Sequence, residues 1–467
     1  MINFEEVYNQ NIKPKYGEKR LNENLLLDSN DYPHSYSIFN RKDMTDKIVY
    51  TIDPENCKDA DDGFSIYYEQ ANLYLAIHIA DPTEFINLES DLWNDIVNRV
   101  LTHYPSFNEP IHLMPEEILK LSSLTVENDN DEEIKNAISI ITEIDLESYL
   151  PTNNVKLEYT KIKVTNENRL TYQEAADLKK YNYNLQLALM ISESLYLDRS
   201  KKTIGTKLSE LNNISVNKVD DKITFGVDSS EVILLKHMIG EFAIFANSFV
   251  GEYLKINLNG MGIFRSCEAS DKLSASLNIT GKELLNQIID NGISAEYLAS
   301  IKSHDLVGTP VYCHFTSPIR RLADCICHYL LKSIKLNTNP PWDRDQLDKL
   351  ADQCFKLTKK EKNIQYDDNK FRVIQLFNSL YKNGLEIGIR ITSFTGLFLN
   401  CIINKFFYDG KEYDCQISYC IKIRNKKFQN KQNENLIKIK INNVNPFFKF
   451  DENTLPDLDN YLKSQLE

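Results

Sequence analysis

Four aspartates lie within ten positions of one another in the first part of the chain. The segment TIDPENCKDADDGF, residues 51–64, contains Asp53, Asp59, Asp61 and Asp62. Carboxylates this close repel one another when all are ionised, and a divalent cation removes the repulsion while taking their oxygens as ligands. Two such cations about 3.5–4 Å apart form the usual clamp for cleaving a phosphodiester. The acids indicate either a metal site for phosphodiester chemistry or a solvent-exposed acidic turn, and their number alone supports both.

Other metal and phosphate motifs do not account for this stretch. An EF-hand with Gly63 at its sixth position would start at Lys58, where a carboxylate is needed. The P-loop, HExxH and glycine-rich dinucleotide patterns are absent from the sequence. The nine cysteines are scattered and include no CxxC pair, so neither a disulfide framework nor a structural zinc site is indicated. We therefore expect an intracellular, reducing location.

A second informative stretch is YCHFTSPIRRLADCICHYLL, residues 312–331. Ser317 followed by Pro318 predicts a helix start, because a capping hydroxyl and then a proline favour the first turn. Arg320 would lie in that turn, where free backbone N–H groups favour an anion and a guanidinium can fork onto a phosphate. The competing interpretation is a surface arginine on an ordinary amphipathic helix, and this stretch taken alone favours it. His328 is expected to be a packing residue.

The elements that must position these residues are a mixture of strands and helices. In residues 73–81 the apolar side chains alternate, which places them on one face of a strand. Strands are predicted at 47–53, 64–68, 73–81, 137–146 and 155–165. Helices are predicted at 88–101 and 115–121, as a pair within 171–202, as a long buried helix at 231–255, and as short helices within 271–304. Strands and helices in blocks predict an α+β fold up to about residue 380.

The pattern changes at about Gly384, after which short strand-like runs such as EIGIRITSF and LIKIKINNV dominate. We interpret this part as a small all-β module, most simply a barrel. It carries a basic cluster of Lys422, Arg424, Lys426, Lys427 and Lys431. By charge pattern alone, a solvated loop and an RNA contact account for this cluster equally well.

Length and charge limit the number of domains and the kind of partner that the chain can have. The 467 residues suggest two to four domains, and the hydrophobic content of 42% fits a folded globular protein. The net charge of −13 argues weakly against a nucleic-acid partner, although a channel can be locally basic on an acidic protein. The N-terminal residues carry no secretory or transit signal, and no apolar run approaches a membrane span. We expect a cytoplasmic protein without membrane association.

Together, the two stretches resemble the ribonuclease II/ribonuclease R (RNB) family of exoribonucleases. The family pattern T-I-D, five residues, D-x-D-D is met by residues 51–62, and the HFTSPIRR motif is present letter for letter at 314–321. Individually weaker similarities are AIHIADPTEFI, HYPSFNEPIHLMPEEI and NRLTYQEA, at 76–86, 103–118 and 168–175. The resemblance covers about residues 47–380, and the segment at 390–403 is similar to the opening of the OB-type barrel that follows the catalytic domain.

The resemblance implies an α+β fold with an RNB-type catalytic domain at 47–383, followed by a small all-β OB-type RNA-binding barrel at 384–455. A short N-terminal segment, 1–46, and a C-terminal tail, 456–467, would flank these domains.

The resemblance also assigns roles by position. Asp53, Asp59, Asp61 and Asp62 match the metal-site aspartates of the family, which implies Mg²⁺, with Mn²⁺ as the alternative. Asp61 would position or activate the attacking water, and Arg320 would hold the phosphate near the scissile bond, so these two are the candidate catalytic residues. The implied substrate-binding residues are Tyr104, Tyr172, Tyr312, Arg320 and Arg321.

The implied activity is metal-dependent, hydrolytic 3′→5′ degradation of single-stranded RNA to nucleoside 5′-monophosphates by a protein expected to be a monomer. Two alternatives stay open. One is a catalytically inactive RNA-binding protein on the same fold, which the four intact aspartates disfavour. The other is a DNA nuclease, because preference for ribose needs 2′-OH contacts that a sequence does not reveal.

Overall fold

The computed structural model describes residues 3–17, 32–126, 131–201, 214–219, 222–269, 287–288, 291–395, 398–422 and 437–440. The α-helices of these residues are α1 (Phe4–Asn11), α2 (Asp91–Arg99), α3 (Glu116–Ser122), α4 (Tyr172–Leu178), α5 (Tyr183–Ser200), α6 (Ser230–Asn257), α7 (Leu322–Leu336) and α8 (Arg344–Leu380). The β-strands are β1 (Lys42–Asp43), β2 (Thr51–Asp53), β3 (Asp62–Glu69), β4 (Asn72–Ala80), β5 (Glu132–Ile144), β6 (Pro151–Thr165), β7 (Arg169–Thr171), β8 (Ile214–Val219), β9 (Lys222–Val227), β10 (Phe264–Ser266), β11 (Glu296–Leu298), β12 (Glu386–Thr395), β13 (Phe398–Tyr408), β14 (Lys411–Lys422) and β15 (Ile437–Lys440).

A five-stranded sheet in the order β1-β6-β5-β4-β3 lies at the centre of the larger hydrophobic core. Neighbouring strands are antiparallel except for β1 and β6, which are parallel. The alternating apolar side chains of β4, from Leu73 to Ile79, are buried as predicted. The opposite face of β4 is buried too, through Ala76, His78 and Ala80. The sheet is therefore covered on both sides, and its predicted strands are confirmed.

The helices predicted between 88 and 255 are confirmed as α2 to α6. Thr171 opens α4 with a capping box that includes Glu174, and the Asn182 side chain caps α5. The 28-residue helix α6 is long and apolar enough, by length and composition alone, to cross a membrane, so the expectation that no segment approaches a span was wrong. A core helix passes the same test, and the inward face of α6 packs into the core with Glu241 and Asn247 buried.

The helix predicted to start at Ser317 begins instead at Leu322. Arg321 is extended and forms a β-bridge with Leu101, and the Leu322 N–H donates to the Val100 carbonyl at 2.8 Å. This pairing holds the preceding turn outside the helix, so the prediction of Arg320 in a helical first turn was wrong. His328 lies in α7 as a buried packing residue, as predicted, with Nε2 3.0 Å from the Phe315 carbonyl oxygen.

The C-terminal part contains a four-stranded antiparallel sheet in the order β14-β13-β12-β15. The predicted short strands are thus present, while their closure into a barrel stays a prediction. The sheet shares a second hydrophobic core with the end of α8 and with the N-terminal segment 3–17, which contributes Tyr8, Ile12 and Tyr16. The side chains of the basic cluster at 422–431 lie outside the described residues.

The predicted short helices within 271–304 lie largely outside the described residues, which omit 270–286 and 289–290. Where the structure describes the end of this stretch, residues Glu296–Leu298 form strand β11 rather than a helix. They pair antiparallel with β10, because the tertiary fold supplies a strand partner that local sequence does not indicate.

Candidate active site

Two strands bring the aspartates together. β2 ends at Asp53 and β3 begins at Asp62, and Tyr50 and Phe64 bond each other reciprocally just beside them. A Cβ atom on Gly63 would lie 2.9 Å from the Tyr50 carbonyl oxygen, closer than real Cβ atoms come. Glycine at this position therefore lets β2 and the start of β3 cross in contact. The loop between them carries Asp59 and Asp61 into the same space.

Asp61 joins the acidic loop to the HFTSPIRR segment. Its carboxylate accepts from the Ile319 N–H at 2.8 Å and from Arg320 Nε at 2.9 Å. Arg320 Nη2 also donates to Ser317 Oγ at 3.0 Å, so two acceptors fix the guanidinium. Asp61 is 3% exposed, whereas the Arg320 side chain is 46% exposed. The acid is buried behind the arginine, and the arginine faces the outside of the site.

Asp59 connects the acids to a second loop. It accepts a 2.5 Å hydrogen bond from the Tyr104 hydroxyl, and His112 Nδ1 lies 3.7 Å from the same oxygen, Oδ2. The Cys57 thiol donates to the other oxygen at 3.5 Å. Tyr104, a substrate-binding residue implied by the family resemblance, therefore lies directly against the acid cluster.

Burial disfavours the charged forms of Asp53, Asp61 and Asp62. Desolvation by burial, with a further contribution from the negative charges of Asp62 and Asp59, raises the pKa of Asp53 to about 7. Burial raises the pKa of Asp62 to about 6 although Arg320 opposes the shift. Burial also raises the pKa of Asp61 well above its usual range. Carboxylates in this state favour a nearby positive charge.

The donor chemistry of the cluster fits a hard divalent cation. Carboxylate oxygens are the ligands that Mg²⁺ and Mn²⁺ prefer, and a cation would favour the charged forms that burial disfavours. Among the described residues, no three His, Cys, Asp or Glu side chains converge to hold a metal ion. In the contacts described above, Asp61 accepts from Arg320 and Asp59 accepts from Tyr104.

Two further predicted residues, Tyr172 and Arg321, differ in their surroundings. Tyr172 opens α4 near the acids: burial, with the negative charges of Asp62 and Asp53, raises its pKa. Arg321 lies beside Arg320 but pairs with the fully buried Asp324, with Nε 2.9 Å from Oδ2 and Nη2 3.0 Å from Oδ1. Of these two predicted residues, Tyr172 thus lies near the acids, whereas Arg321 is tied to α7.

Tyr312 is only 6% exposed, and its hydroxyl accepts from Asn247 Nδ2 at 2.9 Å. Asn247 also accepts from the Phe315 N–H at 2.8 Å, so it braces the HFTSPIRR segment from α6. Its ring also meets the His304 and His314 rings edge-on, and its carbonyl accepts from the Arg265 N–H at 2.8 Å. Among the described residues, these partners and Asn247 are its contacts, and none of them is one of the four aspartates. Its part in substrate binding stays a prediction.

Sequence reasoning missed several residues that shape the site. Arg169 donates from Nη2 to the Cys57 carbonyl at 2.6 Å and holds the acidic loop from β7. Asp324 accepts from the Ser317 N–H at 2.8 Å and fixes the turn before Arg320. His112 approaches Asp59. His112 and Arg169 lay in segments already noted for their similarity to the family, at 103–118 and 168–175, whereas Asp324 had no distinguishing signal within its apolar helix.

In this α+β fold, the buried acids face an arginine, and nucleases use sites of this kind on phosphodiesters. The family model for the RNB domain matches residues 41–337. The chain belongs to this family, as its acidic loop and HFTSPIRR motif predicted.

Relatives and solved structures agree with that assignment. Ribonuclease R of Mycoplasmopsis pulmonis is 25% identical over 360 residues, covering 68% of this chain and 48% of the relative. Exosome complex exonuclease RRP44 of Homo sapiens is 26% identical over 413 residues, covering 75% of this chain and 42% of the relative. The chain spans about half the length of the curated relatives it matches.

The fold is that of solved ribonuclease R. Mycoplasma genitalium RNase R in complex with ribose-methylated single-stranded RNA superposes with a TM-score of 0.62 at 19% identity, covering 89% of this chain and 73% of that chain. Yeast Ssd1, described as a pseudonuclease, superposes with a TM-score of 0.61 at 16% identity, covering 82% of this chain and 50% of that chain. A protein named as a ribonuclease and one named as a pseudonuclease therefore share this architecture.

Proposed function

We propose that this chain is a metal-dependent, hydrolytic 3′→5′ exoribonuclease that degrades single-stranded RNA to nucleoside 5′-monophosphates. The observation that carries the proposal is the contact between buried Asp61 and half-exposed Arg320. It joins the acidic loop, which can bind cations, to a guanidinium that can bind a phosphate by donating hydrogen bonds. RNA degradation as the general activity agrees with the names of the relatives.

Each residue of the site has a chemical task in this proposal. Arg320 binds the scissile phosphate and neutralises the charge that develops on it, from a position fixed by Ser317 and Asp61. Asp61 orients the attacking water and accepts its proton. The rings of Tyr104 and Tyr172 contact the terminal nucleotides, where stacking is tolerant of base identity.

Mg²⁺, or Mn²⁺ as the alternative, would be held by Asp53 and Asp62, with Asp59 and Asp61 completing the acidic set. When bound, such cations supply a low-pKa water and stabilise charge on the leaving oxygen. The chain's own contribution is the acidic set, in which burial raises the pKa of Asp53, Asp61 and Asp62 and so favours a nearby positive charge.

A second candidate function is RNA binding without cleavage. The similarity to the pseudonuclease Ssd1 favours it. The four aspartates favour the enzyme, because a binding protein has no need for buried carboxylates at this point.

The test is digestion of 5′-labelled single-stranded RNA with Mg²⁺, with Mn²⁺ and with a chelator. A metal-dependent ladder that shortens from the 3′ end, with 5′-monophosphates as products, supports the enzyme. A gel shift without cleavage supports the binding protein and overturns the enzyme. Equal cleavage of a DNA strand of the same sequence would favour the DNA nuclease. Asp61→Asn is the control for contaminating nucleases.

A further inference from the structure

The loop that carries Tyr104, residues 103–112, is closed at its base by reciprocal hydrogen bonds between His103 and Ile111. Within this loop, Phe107 has φ of +60°. Side chains as large as Phe rarely adopt this left-handed conformation, and it persists only where surrounding structure holds it. The contacts that hold the Tyr104 loop come from α8 and from the N-terminal segment 3–17.

Asp368 of α8 is the centre of these contacts. It is 1% exposed, and its Oδ2 atom accepts from three donors: Tyr8 Oη at 3.1 Å, Tyr16 Oη at 2.8 Å and the Ser106 N–H at 2.9 Å. A buried carboxylate is costly unless donors surround it. The N-terminal segment, α8 and the Tyr104 loop therefore meet on one oxygen atom.

Arg372, one turn further along α8, contacts the same loop residue, Ser106, at its carbonyl. Its Nη2 donates to the Ser106 carbonyl at 2.7 Å. Its guanidinium carbon lies 4.1 Å from the centroid of the Tyr8 ring and 4.3 Å from that of Phe107, so the cation lies close to both rings. Ser106 is thus bonded at both its N–H and its carbonyl, and Phe107 is kept in its strained conformation.

The loop is also held on the other side of Tyr104. His103 Nδ1 lies 2.5 Å from Glu361 Oε2, and the Tyr16 ring meets the His103 ring edge-on with centroids 6.0 Å apart. Tyr104 therefore lies between two residues, His103 and Ser106, whose positions depend on α8 and the N-terminal segment. Its own hydroxyl ends on Asp59.

We propose that Tyr8, Tyr16, Asp368 and Arg372 are positioning residues that set how the Tyr104 loop grips the 3′ end of an RNA. The inference rests on the proposed function, because it assumes that Tyr104 contacts RNA. Among the described contacts, Asp368 and Arg372 reach the Tyr104 loop at Ser106 and Phe107 and not at Asp53, Asp59, Asp61 or Asp62, so the four residues act through the backbone of this loop.

The experiment measures RNA affinity without turnover. All variants are made in an Asp61→Asn background, and binding of a 5′-fluorescein-labelled single-stranded oligouridylate is followed by anisotropy in Mg²⁺. Tyr16→Phe removes one donor to Asp368, and we expect the Kd to rise roughly threefold to tenfold. Tyr8→Phe keeps the ring beside Arg372 and is also expected to raise the Kd. If Tyr16→Phe does not fold, the Kd of Tyr8→Phe tests the inference instead. Tyr181→Phe, on a side chain 87% exposed, is the matched control with unchanged Kd.

A double-mutant cycle separates positioning from general stability. With Tyr104→Ala already present, Tyr16→Phe should change the Kd by less than about twofold, since the residue it positions is gone. An equal loss of affinity with and without Tyr104 overturns the inference, as does an unchanged Kd in folded Tyr16→Phe and Tyr8→Phe. RNA binding without cleavage by the unsubstituted chain overturns the exonuclease proposal alone, whereas no RNA binding at all overturns both.

Discussion

Arg320 and Asp61 lie 259 positions apart in the chain and are joined by a 2.9 Å contact between Nε and Oδ2. The adjacent Ile319 N–H donates to the other oxygen of the same carboxylate at 2.8 Å. One aspartate thus orients the turn that carries the arginine, and the arginine supplies the positive charge nearest to that aspartate. The proposed catalytic acid and phosphate ligand therefore position each other before RNA arrives.

Replacing Asp61 with asparagine should abolish RNA hydrolysis while leaving the fold intact. The amide can still accept from the Ile319 N–H, but it has no charge for a cation and cannot take a proton from water. Because burial disfavours the ionised form of Asp61, we expect the melting temperature to be unchanged or higher. Labelled-RNA digestion and thermal unfolding check both parts. Hydrolysis at the original rate by a folded variant would remove Asp61 from the mechanism.

Neighbouring arginines should respond differently to the same change. Arg320→Lys should slow hydrolysis about 100-fold to 1000-fold, because lysine cannot form the forked contact that stabilises the phosphate. Arg321→Lys should instead lower the free energy of unfolding by about 2 kcal/mol, since it weakens the pair with buried Asp324. Single-turnover rates and urea titrations on both variants give the comparison. Equal rate losses would show that Arg321 also serves the substrate.

The buried histidine His78 predicts a loss of stability in mild acid. It lies between Ser65 Oγ at 3.0 Å and Ser139 Oγ at 2.7 Å, and burial lowers its pKa from 6.5 to about 3. Between these pH values, His78 is therefore protonated in the unfolded chain and neutral in the folded chain. The contribution of His78 to the free energy of unfolding is therefore greatest above about pH 6.5 and declines as the pH falls towards 3.

His78→Gln removes this titration. Between about pH 7 and pH 5 the unsubstituted protein should lose about 2 kcal/mol more than the variant, whatever the starting stability of the variant. Urea titrations at the two pH values measure the difference. Parallel pH dependence in the two proteins would contradict the assignment of a neutral, buried His78.

A buried ion network joins the central sheet to α7. Lys332 Nζ lies 3.0 Å from Asp81 Oδ1 and 2.9 Å from Glu84 Oε2, and Arg41 contacts the same two acids. Lys332→Met leaves two buried carboxylates with one cation, so the free energy of unfolding should fall by about 3–5 kcal/mol. A fall below about 1 kcal/mol would contradict this account.

The control for that prediction is Lys356→Met. This lysine forms an exposed pair with Asp352, one turn away on α8. Its removal should change the free energy of unfolding by less than about 1 kcal/mol, because solvent screens the pair.

The basic cluster of the C-terminal module predicts an electrostatic contribution to RNA affinity. Deleting the module is a poor test, because Leu385, Ile387 and Phe406 share a core with Phe377 of α8. Lys426→Gln with Lys427→Gln should instead weaken RNA binding and reduce its logarithmic salt dependence by about 1.4. Lys349→Gln on the exposed side of α8 is the control. An unchanged salt dependence would favour a solvated loop.

Much of the site was predictable because its chemistry depends on spacing along the chain. The acidic pattern at 51–62 and the HFTSPIRR motif identified Asp61 and Arg320, and the flanking segments identified Tyr104 and Tyr172. Strands such as β4 were predictable because alternation of apolar residues is a local property. The long helix α6 followed from its apolar character over many turns.

Local signals failed where a distant partner overrode them. Ser317 and Pro318 carry the chemistry of a helix start, but bridging of Arg321 to Leu101 delays the helix to Leu322. The pairing of β10 with β11 likewise replaced a predicted helix by a strand. In both cases a backbone partner from elsewhere in the chain satisfied groups that a helix would otherwise have paired.

By itself, the sequence determined the family, the acids and the arginine, since residue types at fixed spacing are what recognition requires. Only the tertiary structure decided which partner each side chain takes. Arg320 contacts Asp61 while Arg321 contacts Asp324, and Tyr104 reaches Asp59 while Tyr312 turns to Asn247. In the N-terminal segment, for which no element was predicted, residues Phe4–Asn11 form helix α1, and Tyr8 of this helix packs in the core shared with α8 and donates to Asp368. These outcomes depend on packing between residues far apart in the chain, where burial requires each polar group to find a partner.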